Sequence, residues 1–474
     1  MIEEQKRWLA LYMLCAGELM IVLDTTIVNV ALPSIQADLG FTETSLVWVV
    51  NAYMLTYGGF LLLGGRLGDL YGQRRLFLAG ITLFTAASVV CGLAGAQWLL
   101  VTARAVQGLG GAVVSAIALS LIMNIFTGAG ERAKAMGIYG FVCAGGGSLG
   151  VLLGGMLTSA LSWHWIFLVN LPIGAAVYGS CLRLLAPDRA SAHQERLDVW
   201  GALTVTASLL CAVYAIVDGN AAGWTSVQTL TLLGAAAVLF AAFLVIEARA
   251  SHPLMPLRLF ALRSVAAANA IGVLWAAAMF AWFFISALYM QLVLGYDPMQ
   301  IGLAFLPSNL IMAVFSIWLS AKLVMRFGIR LPIALGMLLA AAGLALFAFS
   351  PVDGSFLLHI LPGMLLLGLG CGMALNPVML AAMNDVDPSE SGLASGVVNT
   401  SFMMGGALGL AVLASIAAAR SESLAGAPAA AALTAGYHVA FAIGAACAGV
   451  AALLAAVLLR APAAPKQERV EYAR

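Results

Sequence analysis

Charge is what this 474-residue chain has least of: Asp, Glu, Lys and Arg together make up 9% of it, against 63% hydrophobic residues. A water-soluble domain carries about 25% charged residues, so there are too few here to cover a soluble protein of this length. With a mean hydropathy of +1.01, the solvent that fits is lipid. The net charge is only +1 and there is no basic run, which argues against a nucleic-acid partner. The 7 cysteines all fall inside apolar stretches and read as packing residues, not as a disulfide framework or metal cluster. No nucleophile elbow, metal-ligand cluster or P-loop is present. Gly108-Leu-Gly-Gly-Ala lies within an apolar run and is no phosphate cradle, so ATP is not the expected energy source. Lys6 and Arg7 precede an apolar run, as in a signal peptide. That run is too long for one and contains Glu18 and Asp24, so it reads as a retained first helix.

What the chain does have is apolar runs of roughly the 20 residues that a membrane span needs. They lie near 8–32, 45–66, 75–95, 98–124, 134–158, 164–186, 198–218, 227–247, 265–291, 300–325, 330–350, 355–380, 394–418 and 435–459. The expectation is an all-α membrane protein with 14 transmembrane helices and both termini on one side. With the N-terminus inside, all of the 22 Lys and Arg except Arg104 and Arg420 fall in inner segments, as the positive-inside rule requires. This places the N- and C-termini in the cytoplasm and the protein in the cell inner (plasma) membrane.

The sequence also repeats itself. Gly65 to Arg74 ends the second span, and Lys322 to Arg330 ends the tenth, with Arg66, Gly72 and Arg74 matching Lys322, Gly328 and Arg330. Gly108 and Gly110 match Gly368 and Gly370, and Glu131, Gly137, Gly146, Gly147 and Gly150 match Glu390, Gly396, Gly405, Gly406 and Gly409. The constant order and spacing predict two six-helix repeats plus a two-helix central insertion: bundles over 1–190 and 259–460, inserted helices over 191–258, and a cytoplasmic tail over 461–474. Parallel repeats of this kind build transporters, with the substrate site near the midplane between them.

Only Glu18, Asp24 and Arg104 lie well inside spans. A charge at a helix centre costs about 2.5–3.5 kcal/mol on insertion scales, so it faces a cavity or a partner. Asp24 is roughly 12 Å and Arg104 roughly 10 Å from the outer ends of their spans, so they can pair, with Gln107 on the same face as Arg104. An acid held there can load and release a proton; the bland alternative is a static ion pair that pins two helices. Glu18, about 9 Å further inward, is either a second proton site, an acidic contact for cationic substrates, or a protonated acid bonded to a neighbouring helix. Asp69 can pair with Arg74 or cap a short helix and so latch the inner face, Gly65 and Gly72 allowing close backbone approach; alternatively it is a solvated loop carboxylate. Gly150 and Gly154 belong to a small-residue seam suited to helix packing or to sliding during gating. Asn51, Tyr53, Gln107, Trp282, Phe284, Tyr289, Asn399 and Met403, with Glu18, are the candidate substrate contacts.

These residues resemble the fourteen-helix drug:proton antiporter branch of the major facilitator superfamily over nearly the whole chain. Leu23-Asp-Thr-Thr-Ile-Val-Asn-Val-Ala-Leu-Pro33 is similar to the branch's first-helix motif, Gly65 to Arg74 to the superfamily's loop motif, and Arg104-Ala-Val-Gln-Gly108 to its fourth-helix motif. Trp165-Ile-Phe-Leu-Val-Asn-Leu-Pro-Ile-Gly174 and Gln291…Gly295…Pro298…Gly302…Pro307 resemble further branch signatures. The resemblance implies proton coupling at Asp24, relay or pairing at Arg104 and gating at the Asp69 loop. Two departures stand out. Val151 follows Gly150 where the antiporter motif has Pro, and Phe402-Met403 replaces an Arg-Gln pair, which implies more apolar or cationic substrates.

The expectation is therefore a proton-coupled efflux transporter of small hydrophobic or cationic compounds, not an enzyme. It needs no cofactor beyond a proton gradient; its partners are small-molecule substrate, protons and the lipid bilayer, and it is expected to be a monomer. The rival readings are a dedicated transporter of one metabolite or antibiotic, exporting or importing, and a membrane-embedded sensor or enzyme.

Overall fold

The computed structural model describes residues 2–126, 129–185, 188, 198–250, 253, 255–383, 386, 391–424 and 426–459; the expected tail over 461–474 lies outside them. Helices α1 (Ile2–Leu39), α2 (Glu43–Tyr71), α3 (Gln73–Gly92), α4 (Gln97–Ile125), α5 (Ala129–Ala160), α6 (Trp165–Leu168) and α7 (Asn170–Leu184) come first. Then follow α8 (Val199–Ala222) and α9 (Val227–Arg249). The remainder is α10 (Arg263–Leu288), α11 (Pro298–Val314), α12 (Ser320–Phe327), α13 (Arg330–Phe347), α14 (Leu361–Met383), α15 (Ser391–Glu422) and α16 (Ala429–Leu458). No strand occurs among the described residues.

Local chemistry sets where the helices begin and end. Thr42 accepts from Ser45 N (3.1 Å) and Ser45 Oγ accepts from Thr42 N (3.0 Å), a capping box that starts α2. Asp297 and Gln300 do the same for α11, with Pro298 in the first turn. Helix α2 ends at Gly72 (φ +98°) and α12 at Gly328 (φ +71°), a left-handed backbone that favours glycine. These are the two loop positions matched in the sequence repeat.

Among the described residues, twelve helical stretches are long and apolar enough to cross a membrane, and two apolar segments, Leu149–Ala160 and Pro298–Val314, are shorter. The expected count of fourteen is therefore met in twelve by this measure. The shortfall at the tenth span has a physical origin. Helix α11 has 17 residues, about 25 Å against a hydrocarbon core of about 30 Å. The path continues through a wider π turn at Phe315–Leu319 into α12.

The duplication is visible in helix crossings. A Cβ on Gly110 would meet Phe84 N at 2.6 Å where α4 crosses α3, and one on Gly370 would meet Ala340 N at 2.8 Å where α14 crosses α13. Gly146 packs against Val22 of α1, as Gly405 packs against Val273 of α10. In each case small residues bring two backbones together without polar glue. By the same correspondence Asp24 falls on Trp275, and Glu18 on Asn269.

Two seams join the halves: α2 packs on α15, and α5 on α11. At the second, a Cβ on either Gly155 or Gly302 would lie 3.4 Å from the other's Cα, and Met299 N donates to Ser159 Oγ (3.0 Å). At the first, Asn51 Nδ2 donates to Ala407 O (2.9 Å) and Tyr437 of α16 donates to Glu43 Oε2 (3.4 Å). Helix α8 contacts both α2 and α15. Its Thr206 meets Gly59 of α2, and Asn220 Nδ2 donates to Ser415 O of α15 (2.7 Å), while Ser415 Oγ donates to Ile216 O (3.0 Å).

If these crossings hold the bundle, Gly110→Leu should lower stability by about 1–3 kcal/mol or more through overpacking. Gly95→Ala, where a Cβ meets nothing within 4 Å, should be neutral. Thermal unfolding of the two variants in detergent checks this.

Candidate functional site

The charges written into the first and fourth spans meet. Arg104 Nη1 donates to Asp24 Oδ2 at 2.5 Å, with the aspartate fully buried and the arginine 1% exposed. Neither is held by the other alone. Arg104 Nη1 also donates to Gln107 Oε1 (2.8 Å), and Nε to Val49 O of α2 (2.9 Å). Its guanidinium lies 4.4 Å from the Tyr53 ring and 5.7 Å from the Phe167 ring, two aromatic faces that attract a desolvated cation.

The carboxylate is equally well supplied. Asp24 Oδ1 accepts from Gln107 Nε2 (2.7 Å) and from Asn170 Nδ2 of α7 (3.2 Å). Both donors also reach Ser88 Oγ of α3, at 3.1 and 3.0 Å, and that hydroxyl donates to Phe167 O (2.9 Å). Among the described residues, every group within hydrogen-bond distance of the Asp24 oxygens is a donor.

Glu18 stands apart. It is 5% exposed, beside Ser115 of α4 and Tyr139 of α5, and its Oε2 has no hydrogen-bond partner among the described residues. Of the other expected substrate contacts, Gln107 and Tyr53 are built into the ion-pair cluster, with the Tyr53 hydroxyl unpartnered. Asn51 clasps Ala407 across the α2–α15 seam, and Tyr289 OH donates to Pro351 O (2.7 Å). Trp282 packs on Phe283 and Phe305; Phe284, roughly 200° further round α10, faces away from it. Met403 packs against Gly58 of α2, and Asn399 is half-buried on α15. The structure thus gathers Asp24, Arg104, Gln107 and Tyr53 and disperses the rest.

Of the expected gate, the side chain of Asp69 lies outside the described residues. Arg74 Nη2 donates to Leu182 O (2.6 Å), and the backbone N–H groups of Arg74 and Arg75 donate to Asp188 (2.9 and 3.0 Å). The carboxylate that caps α3 is therefore supplied by the segment after α7. Gly72 sits against Asp188, while a Cβ on Gly65 would meet only Ala116, at 3.8 Å. Gly150 and Gly154 pack on Thr26 and Ile27 of α1, within one half, and it is Gly155 that meets the other half.

Sequence reasoning missed Asn170, Ser88 and the Val49 carbonyl. Asn170 was findable: it is a lone amide between apolar residues at the start of α7. The carbonyl leaves no trace in a residue string.

A multi-pass helical bundle of two equivalent halves, closed around a desolvated ion pair, is the architecture of a membrane transporter. The match of residues 14–410 to the family model described as Major Facilitator Superfamily makes the assignment specific: the chain belongs to that superfamily and is a transporter, not an enzyme. It is 40% identical over 412 residues to the puromycin resistance protein pur8 of Streptomyces alboniger, covering 86% of this chain and 82% of that protein. It is 39% identical over 410 residues to the cephamycin export protein CmcT of Amycolatopsis lactamdurans, covering 86% and 84%. Among solved structures, a bacterial homologue of the human lysosomal transporter Spinster, inward-facing and unoccupied, superposes with a TM-score of 0.67 at 16% identity, over 96% of this chain and 97% of that one. At that identity the likeness is one of fold.

Removing one member of a buried pair strands the other charge, at about 3–5 kcal/mol. Arg104→Leu should therefore unfold at a clearly lower temperature than wild type, and Asp24→Asn/Arg104→Leu should recover part of the loss. Thermal melts of the purified variants measure both.

Proposed function

We propose that this transporter is a proton-coupled exporter of small hydrophobic or cationic compounds, working by alternating access between its two halves. The observation that carries the reading is the Asp24 carboxylate, buried and surrounded by donors from α4 and α7. Export is supported by the relatives, one named for puromycin resistance and the other for cephamycin export.

In this mechanism a proton from outside neutralises Asp24 and dissolves its bond to Arg104. Arg104 keeps Val49 O, Gln107 and the Tyr53 face, so it stays with α2 and α4 while α1 is released. Substrate binding from inside favours the other arrangement, and each ligand moves the equilibrium only by its different affinity for the two states. The proton gradient is the sole energy source and no cofactor takes part. The Asp69–Arg74 loop and the Gly150–Gly154 seam serve as gating elements.

The same proposal holds the branch and topology: fourteen spans, with both termini cytoplasmic, in the plasma membrane. Its support is the unbroken 32-residue path of α5 and the continuation of α11 through Phe315–Leu319 into α12, together with the one-sided placement of Lys and Arg. The second reading is a dedicated exporter of a single antibiotic, favoured by relatives named for one compound each.

Proteoliposomes with an imposed pH gradient test the proposal. Wild type should drive puromycin or dye accumulation, and Asp24→Asn should abolish gradient-driven transport by at least tenfold while leaving substrate counterflow measurable. Undiminished gradient-driven transport by Asp24→Asn removes the assignment of Asp24. A panel of unrelated cations separates the two readings: transport of many means multidrug export, transport of one means a dedicated pump.

A further inference from the structure

Three buried N–H donors in the second half have no acceptor among the described residues: Trp275 Nε1, Trp282 Nε1 and Asn309 Nδ2. Each of these residues is 2% exposed. Trp275 and Trp282 are about two turns apart and share one face of α10. Met279, between them on that face, brings its Sδ to 3.9 Å from Cys371 Sγ of α14. Trp282 packs edge-on against Phe305 of α11, ring centroids 5.8 Å apart, and Asn309 lies one turn beyond Phe305. Trp282 and Asn309 are both about 16 Å from the outer ends of their helical paths, near the midplane. Helices α10 and α11 also touch α1 across the molecule, and α1 carries Glu18, whose carboxyl lies beside Ser115 and Tyr139 and whose Oε2 has no partner among the described residues.

Phenylalanine would keep an aromatic face at either position without burying an N–H. A buried donor left unmatched carries a desolvation cost, and native proteins satisfy nearly all such groups. A row of them on one face calls for an acceptor that arrives from elsewhere. No formal charge lies in the row, so it suits neutral oxygens and not anions. We propose that Trp275, Trp282 and Asn309 form a hydrogen-bonding strip of the substrate site that selects flat apolar compounds bearing carbonyl, quinone or ether oxygens. Glu18 on the first half takes a basic nitrogen of the same molecule. This rests on the export reading above and narrows its substrate class to amphipathic amines with acceptor oxygens.

The test uses Trp275→Phe and Trp282→Phe, which keep an aromatic ring and lose the N–H together with part of the indole's volume, in the full-length protein; the oxygen-free probe below reports the effect of the lost volume. Two flat aromatic cations serve as probes: daunorubicin, with quinone and carbonyl oxygens, and ethidium, with none. In proteoliposomes under a pH gradient, each variant should raise the apparent KM for daunorubicin about tenfold, equivalent to about 1.4 kcal/mol, and leave that for ethidium within twofold. An equal loss for both probes, or no change for either, overturns the proposal. Asn309→Leu, similar in volume, supplies the same comparison should a tryptophan variant fail to purify as a single species. If wild type transports neither probe, the multidrug form of the export reading falls. The strip is then judged by the same variant-by-probe comparison on the purified protein, using fluorescence on binding, with the same outcomes deciding.

Discussion

Two opposite charges share a space that excludes water, and the first half of this protein is arranged to make that tolerable. Asp24 and Arg104 would each be costly alone in lipid. Together they are held by α2 through Val49 O, by α3 through Ser88, by α7 through Asn170 and by the faces of Tyr53 and Phe167. A charge pair so enclosed is stiff while intact, because each neighbour is oriented for the ionised form. In the mechanism proposed above it is also the point of control, where one proton would remove the reason for all those orientations at once.

The duplicated fold makes the location of this control unequal. Helix crossings at Gly110 and Gly370, and at Gly146 and Gly405, repeat faithfully between the halves. The side chains at the equivalent buried positions do not. Asp24 is answered by Trp275, and Tyr53 by Asn309. One half thus keeps a buried ion pair and the other neutral donors, a division that in the proposals above lets proton binding and solute recognition be tuned separately on a common scaffold.

Much of this was legible before any coordinates. Span positions, the repeat and the Asp24–Arg104 partnership follow from hydropathy, glycine spacing and depth along a helix, each a one-dimensional property. The matched loop glycines Gly72 and Gly328 both adopt the left-handed backbone. What could not be read were side-chain azimuths and backbone acceptors. Gln107 was placed on the face of Arg104 as well as among the substrate contacts, and it bonds both Arg104 and Asp24; Tyr53 was grouped with substrate contacts alone, yet rotation about its helix turns its ring onto Arg104. Asn51 instead clasps a carbonyl across the seam. Asp188 could not be anticipated as the cap of α3, because the sequence separates the two by most of a half.

Helix α8 leaves the molecule's two seams unlike each other. The contact between α2 and α15 is overlaid by α8, fastened through Thr206 on one side and Asn220 and Ser415 on the other. No inserted helix spans both sides of the α5–α11 contact in the same way. The halves are therefore fastened by a third helix along one flank and by their own close glycine packing along the other, so a load that parts them is carried by three helices on one side and by two on the other.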